Sequence, residues 1–356
     1  MPVPSRWTFA AFCYAPAMPP DDRPVVRLGF AGFWGGFDPH DNFFTRLLAR
    51  RWRVEIHDRP EFLIHSCMGR RKHDHRTHDC VRIFYTGENV PPDWHSTDWA
   101  FTFEHTSHPR HFRLPHWPLY VDPARLVKPA GHDPDAALAR KTKFCAFLAS
   151  NPLCRERNEF FRRLSRYKPV DSGGKVLNTL GYRVRDKHAF LADYKFAIAF
   201  ENESHPGYTT EKVADPMIAD AIPLYWGDPL VGLDFDTRSF LSAHDSGSLD
   251  DLVERVIAVD RDPTLHRQLL ARPWFPGNRP PRCADAEAIL GQFTRIFTTP
   301  IDRVSRRRSL ARTCGLDRLP AAAAAAGRRI RRKWRKLVND AGPLFDADGP
   351  GHHAAP

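Results

Sequence analysis

No run of eighteen apolar residues occurs anywhere in the 356-residue chain, so a membrane-spanning helix is not expected. A convincing secretory leader is also missing. The apolar stretch WTFAAFCYA near the start follows a single basic residue and runs into Pro-rich sequence, which makes a poor signal peptide. Cysteines are few, odd in number and scattered: Cys13, Cys67, Cys80, Cys145, Cys154, Cys283 and Cys314. That excludes a disulfide framework and predicts reduced thiols in a cytosolic protein. Cys145 lies in an apolar run, 144–149, and reads as a small hydrophobe. The body of the chain also lacks a charge excess. Residues 301–338 hold thirteen Arg or Lys against two Asp, enough to account for the formal net charge of +11. The first three hundred residues are therefore close to neutral, and the basic character belongs to the tail.

What is present is the composition of a soluble globular protein long enough for two cores. Thirty-two prolines imply many turns between short elements. Residues 1–24 read as an irregular N-terminal segment. Apolar runs at 25–33, 52–56, 62–64, 81–85 and 99–103 read as strands, with Asp41 as cap of a helix carrying Phe44, Leu47 and Leu48 on one face. Strands alternating with helices or loops predict a first α/β domain over 25–140. Residues 128–143 read as a connection. A second α/β domain over 141–300 begins with the strand at 144–149 and ends in an amphipathic helix presenting Ile289, Leu290, Phe293, Ile296 and Phe297. Asp171 to Gly174 (DSGG) reads as a turn.

The chain is organised around residues 194–227, YKFAIAFENESHPGYTTEKVADPMIADAIPLYWG. A buried strand (196–200), a polar Gly-containing loop (201–210), a short helix (213–219) and a second strand (222–226) have the size of a βαβ unit. Ligands of such units sit where the first strand hands over to the helix. Unpaired N–H groups at the helix start bind phosphate, and Lys212 adds a full charge there. This predicts a nucleotide diphosphate site. Taken alone, Lys212 and Arg157 would each read as a surface cation or ion-pair partner.

Six blocks together carry a resemblance: FYTGEN (84–89), SNP followed by RN (150–158), NTLGYRV (178–184), FEN (200–202), GYTTEK (207–212) and IPLYWG (222–227). In this order they resemble the α1,3/4-fucosyltransferases, glycosyltransferase family 10, of bacterial type, over roughly 25–300. The resemblance implies a GT-B fold, α/β, with two Rossmann-like domains facing a central cleft and the second holding the donor. It implies transfer of L-fucose from GDP-β-L-fucose with inversion, to O3 of N-acetylglucosamine in an N-acetyllactosamine-type glycoconjugate. Glu88 is then the general base. Lys212 and Arg157 hold the diphosphate, while Tyr208, Glu211 and Asn202 line the donor pocket, Glu211 facing the ribose hydroxyls. Glu201 reads as a carboxylate for the fucose or its developing positive charge, the bland alternative being an ordinary loop acid. Phe33, Trp34 and His105 are candidates for contact with the acceptor, set against a core role for the aromatics.

No metal or other cofactor is expected. His65, Cys67, His73, His75, His78 and Cys80 crowd together, but their spacing fits no common zinc pattern. Asp234-Phe235-Asp236 reads as a loop rather than a metal-binding Asp pair. The tail GRRIRRKWRKLV carries Ile330, Trp334, Leu337 and Val338 at helical spacing among basic residues. That predicts an anionic membrane surface as partner, hence a cytoplasmic protein peripheral on the inner face of the membrane, with no nucleic acid expected. Two alternatives stand beside the main reading: a transferase of the same fold using another nucleotide sugar, and a membrane- or nucleic-acid-binding protein working through its tail.

Overall fold

The structure is a computed structural model that describes residues 22–68 and 74–300. The N-terminal segment, the basic tail and His73 lie outside the described residues. Two all-parallel sheets organise the rest. The first contains β1 (Val25–Ala31), β2 (Arg53–Ile56), β3 (Phe62–His65), β4 (Val81–Tyr85), β5 (Trp99–Thr102) and β6 (His111–Arg113), in the order β2-β1-β3-β4-β5-β6. The second contains β7 (Lys143–Phe147), β8 (Val170–Ser172), β9 (Tyr194–Phe200), β10 (Ile222–Trp226) and β11 (Leu241–Ser242), in the order β11-β10-β9-β7-β8. Central strands buried on both faces read as near-continuous apolar runs, and β4 (VRIFY) and β9 (YKFAIAF) do so apart from Arg82 and Lys195. Three short strands have no such signature. β6, β8 and β11 hold two or three residues each, and DSGG, read as a turn, begins inside β8.

In each sheet the strand order reverses once, between β1 and β3 and between β7 and β9. Loops leaving the carboxyl ends of the two strands at such a point diverge and open a crevice. In the first sheet the loop at 32–42 leaves β1 at this point, and the loop at 86–98 leaves β4, the strand beside β3. The second sheet sends out the loop before α3 (Arg155–Leu164) and the loop before α5 (Glu211–Ile218).

Four findings differ from expectation. The helix α1 (Phe43–Leu48) is capped by Asn42, whose side chain accepts from the Phe44 and Thr45 N–H groups; Asp41 instead pairs with Arg46 at 2.6 Å. Within the expected connection at 128–143 lies a helix, α2 (Pro134–Ala139). In the second half, α4 (Lys187–Leu191) lies between β8 and β9, and α6 (Leu249–Arg261) and α7 (Pro263–Ala271) follow β11. Finally, α8 (Ala286–Thr298) does not extend the second core. Its Ile289, Leu290, Phe293 and Ile296 pack with Leu28, Phe44, Ile64 and Phe101 in the first, and Phe293 stacks on Phe101 at 4.6 Å.

The two halves are fastened at one edge by a bidentate ion pair. Arg113 Nη1 and Nη2 donate to Asp234 Oδ1 and Oδ2 at 2.7 and 2.8 Å, and Arg113 Nε donates to the Phe103 carbonyl. Asp234 is buried, so truncating its partner strands a charge out of water. Arg113→Ala is expected to cost about 3–5 kcal/mol of stability, checked by urea denaturation. Asp236 caps a turn and pairs with Arg238, so the Asp234–Asp236 stretch is structural.

Candidate active site

The donor side is built at the reversal between β7 and β9. An open pocket lies there, lined by the ends of both strands together with Arg157, Lys187, Glu211, Lys212 and Asp215. The loop joining β9 to α5 is held by its own acid. Glu201 is fully buried; its Oε1 accepts from the Thr210 N–H and its Oε2 from the Thr210 hydroxyl, both at 2.7 Å. Lys212 Nζ stands 3.2 Å from Glu201 Oε2 and 3.6 Å from Glu211 Oε1. Burial works against the Lys212 charge, but the two carboxylates outweigh it and hold its pKa above the ordinary lysine value. A permanent cation thus sits at the α5 N-terminus, where the helix dipole also favours an anion. Burial likewise opposes the Glu211 charge. Lys212, Lys187 and His116 overcome it and bring its carboxyl down to about 2.

Two donor-site expectations change here. Glu201 does not face the cleft, because both of its oxygens serve Thr210 and Lys212; it shapes the loop. Arg157 is only 2 % exposed and lies under the loop. It donates through Nη1 to the Phe200 carbonyl at 3.2 Å and to Asn202 Oδ1 at 3.0 Å, and through Nη2 to the Asn151 carbonyl. Its charge lines the pocket from below and orients Asn202. Its Nε is buried without a hydrogen-bond partner.

Tyr208 packs edge-on against Phe103 of the first half at 5.3 Å. The turn before it requires glycine. Gly207 has φ +83°, and a Cβ there would lie 2.2 Å from the Phe103 carbonyl oxygen. Gly207→Ala is expected to pry the donor loop off the first half and weaken nucleotide binding about tenfold, read by calorimetry; one tenfold step is 1.4 kcal/mol, near the strain of a forced backbone. Asp228, also fully buried, ties the same turn by accepting from the Gly207 N–H at 2.7 Å and the Thr209 hydroxyl at 3.0 Å. The sequence reading passed over Asp228, although it follows IPLYWG directly.

Across the cleft, Thr86-Gly87-Glu88-Asn89 follows β4. The Thr86 hydroxyl accepts from the Glu88 N–H at 2.9 Å and so fixes the loop, while Asn89 Nδ2 reaches Glu203 at 3.1 Å in the other half. The Glu88 residue is open to solvent, yet the surrounding cleft walls raise its pKa above the usual carboxylate value. Lys212 pulls it down, and Glu203 and Glu211 push it up further. Glu88 and Lys212 therefore feel each other's charge across the gap. Phe33 and Trp34 gather with Phe37, Phe43, Tyr85 and Tyr120 around a small apolar pocket in the first half. His105 does not join them. It lies exposed at the seam over Gly207, with ring Cδ2 3.1 Å from where a Cβ would stand.

Among the described residues no three His, Cys, Asp or Glu side chains are grouped to hold a metal ion. His65 stacks on His75 at 4.0 Å, and their Nε2 atoms face the Thr97 and Ser96 hydroxyls. The five described cysteines are free thiols.

Two family descriptions match the chain. "Alpha-(1,3)-fucosyltransferase FucT N-terminal domain" covers residues 28–120, and "Glycosyltransferase family 10 (fucosyltransferase) C-term" covers 138–273. Together they take in well over half of the sequence. The chain belongs to glycosyltransferase family 10. This family 10 chain is 30 % identical over 276 residues to an α-(1,3)-fucosyltransferase FucT of Helicobacter pylori, covering 65 % of itself and 57 % of that protein. It is 32 % identical over 147 residues to a putative fucosyltransferase R654 of Acanthamoeba polyphaga mimivirus, covering 38 % and 24 % respectively. The chain thus spans little more than half the length of the first of these relatives and less of the second. A crystal structure of an α1,3-fucosyltransferase superposes with a TM-score of 0.71 at 25 % identity, covering 81 % of this chain and 94 % of that one. A crystal structure of α1,3-fucosyltransferase with GDP-fucose superposes at 0.66, covering 80 % and 94 %. The family 10 chain accordingly has the GT-B fold of those structures.

Proposed function

We propose that the chain transfers L-fucose from GDP-β-L-fucose to a sugar hydroxyl with inversion at the anomeric carbon. The acceptor atom is O3 of N-acetylglucosamine in an N-acetyllactosamine-type glycoconjugate. The observation that carries this reading is the pairing across one cleft of a carboxylate with raised pKa, Glu88, and a fixed cation at a helix N-terminus, Lys212. The similarity to an α1,3-fucosyltransferase solved with GDP-fucose supports the choice of donor.

Glu88 removes the proton of the acceptor hydroxyl, whose oxygen attacks the anomeric carbon from the face opposite the diphosphate. The bond from that carbon to the phosphate oxygen breaks, and GDP departs with the electron pair. Lys212 and the α5 N-terminus offset the charge that grows on the leaving group. Glu211, held ionised by Lys212 and Lys187, accepts hydrogen bonds from ribose hydroxyls. Tyr208, packed on Phe103, and Asn202, held by Arg157, belong to the donor loop rather than to the pocket lining, and the Phe33–Trp34 cluster receives the acceptor. The step assigns no role to a metal.

Calorimetry with GDP, UDP and ADP, followed by linkage analysis of product formed from GDP-fucose and N-acetyllactosamine, tests the reading. Tight binding of GDP alone and an α1,3-linked product are expected; preference for another nucleotide would favour a different sugar donor. For the tail, 301–338, we propose attachment to the anionic cytoplasmic face of a membrane. Flotation with anionic vesicles should require residues 301–356, while transfer activity should not.

A further inference from the structure

We infer that His116 is a positioning residue for the transfer proposed above, its imidazole fixing the Glu88 loop while its own backbone N–H is tied to the donor loop, so that the two loops are held at a set separation. The role rests on that reaction. Tyr85, the last residue of β4, places its hydroxyl 2.6 Å from His116 Nδ1. Burial raises the Tyr85 pKa well above its ordinary value, so the phenol keeps its proton and donates. Burial also brings the His116 ring down to about 4, so the ring is neutral, accepts at Nδ1 and carries its proton on Nε2. Glu211 and Lys212 are the charges it feels, of opposite sign, and both belong to the donor site.

The same ring fits against the base loop. A Cβ on Gly87 would lie 2.2 Å from both Cε1 and Nδ1 of His116, so the glycine directly before Glu88 is in contact with the imidazole face. The backbone N–H of His116, not its ring, donates to the Thr209 carbonyl at 3.1 Å, three residues before Lys212. The chain around His116 is anchored in both cores. Leu114 and Leu119 are buried in the first, Trp117 and Val121 in the second. Trp117 packs on Phe235 at 5.1 Å. One residue therefore bridges the loops carrying the base and the phosphate cation, with rigid supports on either flank. A misplacement of about 1 Å between reacting groups can cost about 10²-fold in rate, which is the scale available to such a bridge.

The experiment compares wild type, Tyr85→Phe, His116→Ala and His116→Asn. Calorimetric titration with GDP counts competent donor sites, and turnover with GDP-fucose and N-acetyllactosamine is then expressed per competent site. The expected result is a fall in turnover per site of about 10- to 100-fold for Tyr85→Phe and His116→Ala, with GDP affinity nearly unchanged. His116→Asn should recover part of the loss, because its amide oxygen can accept the Tyr85 hydrogen bond. Should fewer sites bind GDP while each turns over at the wild-type rate, the ring only supports the fold and the inference is overturned. Tyr85→Phe removes a single oxygen and covers the case in which His116→Ala does not fold; a wild-type rate per site in Tyr85→Phe also overturns it. A wild type that binds GDP without transferring fucose sinks the proposed reaction, a result separable from the others.

Discussion

Glu88→Gln is expected to lower fucosyl turnover about 10²- to 10⁴-fold while leaving GDP affinity nearly intact, the range a single general base contributes. The amide is isosteric but cannot take the acceptor proton. Its backbone stays fixed, since the Thr86 hydroxyl accepts from the residue 88 N–H and is indifferent to the side chain. The donor pocket lies in the other half, lined by Arg157, Lys187, Glu211 and Lys212, so its affinity should not follow turnover. Steady-state kinetics beside GDP calorimetry measures both. A parallel collapse of affinity would make Glu88 a structural residue of the cleft. The pH profile gives an independent reading. Cleft burial and the acids Glu203 and Glu211 raise the Glu88 pKa, so the acidic limb of turnover should lie above the ordinary carboxylate range of about 4.3. Activity is lost as pH falls through that limb, because the base is then protonated, and the limb should be absent from the residual activity of Glu88→Gln.

Lys212→Ala should be more damaging, because one ammonium serves two purposes. It is a cation of the donor pocket at the α5 N-terminus, and losing such a group costs about 10²- to 10³-fold in turnover, with weaker donor binding besides. It is also the counter-charge of Glu201, which is fully buried, and of Glu211. Breaking a buried pair by removing one partner costs about 3–5 kcal/mol. The acid response should then change in a defined way. In the wild type the folded Glu211 has a pKa of about 2 against an unfolded value of about 4.3. Its stabilisation is therefore fully present above about 4.3 and is lost as pH falls toward 2. Without Lys212 much of that depression disappears, so this part of the acid sensitivity should shrink while overall stability is lower at neutral pH. Denaturation midpoints measured from about pH 6 down to about pH 3 would show it. Lys212→Arg keeps the charge but not the compact ammonium, and an intermediate loss is expected.

Much of the architecture can be read directly from the residues. β4 and β10 coincide with the runs 81–85 and 222–226, because a parallel strand buried on both faces is apolar along nearly all of its length, Arg82 being the exception in β4. The donor loop is legible for a related reason. A nucleotide site at a strand-to-helix handover needs a local sequence, here FEN through GYTTEK, and local sequence survives without knowledge of the fold. The same holds for FYTGEN after β4, which placed Glu88 at a carboxyl strand end. The fold family and the two opposing sites follow from those blocks.

What the tertiary structure decided is which side chains face the cleft and what lies beneath them. Glu201 and Glu211 are both acids of one loop, and only the buried hydrogen bonds to Thr210 make the first a scaffold and leave the second beside the pocket. Arg157 looked like a free cation because nothing local shows that its guanidinium is taken up by the carbonyls of Asn151 and Phe200. Edge strands of two or three residues carry too short a pattern to be seen. The return of α8 to the first core, the Arg113–Asp234 fastening and the Tyr85–His116 bridge join residues far apart in the chain. Amphipathic spacing states that a face is buried but not against what, and a charge or a ring states no partner. The donor loop was therefore written in the sequence, whereas the distance between it and Glu88 was set only when both cores had closed around it.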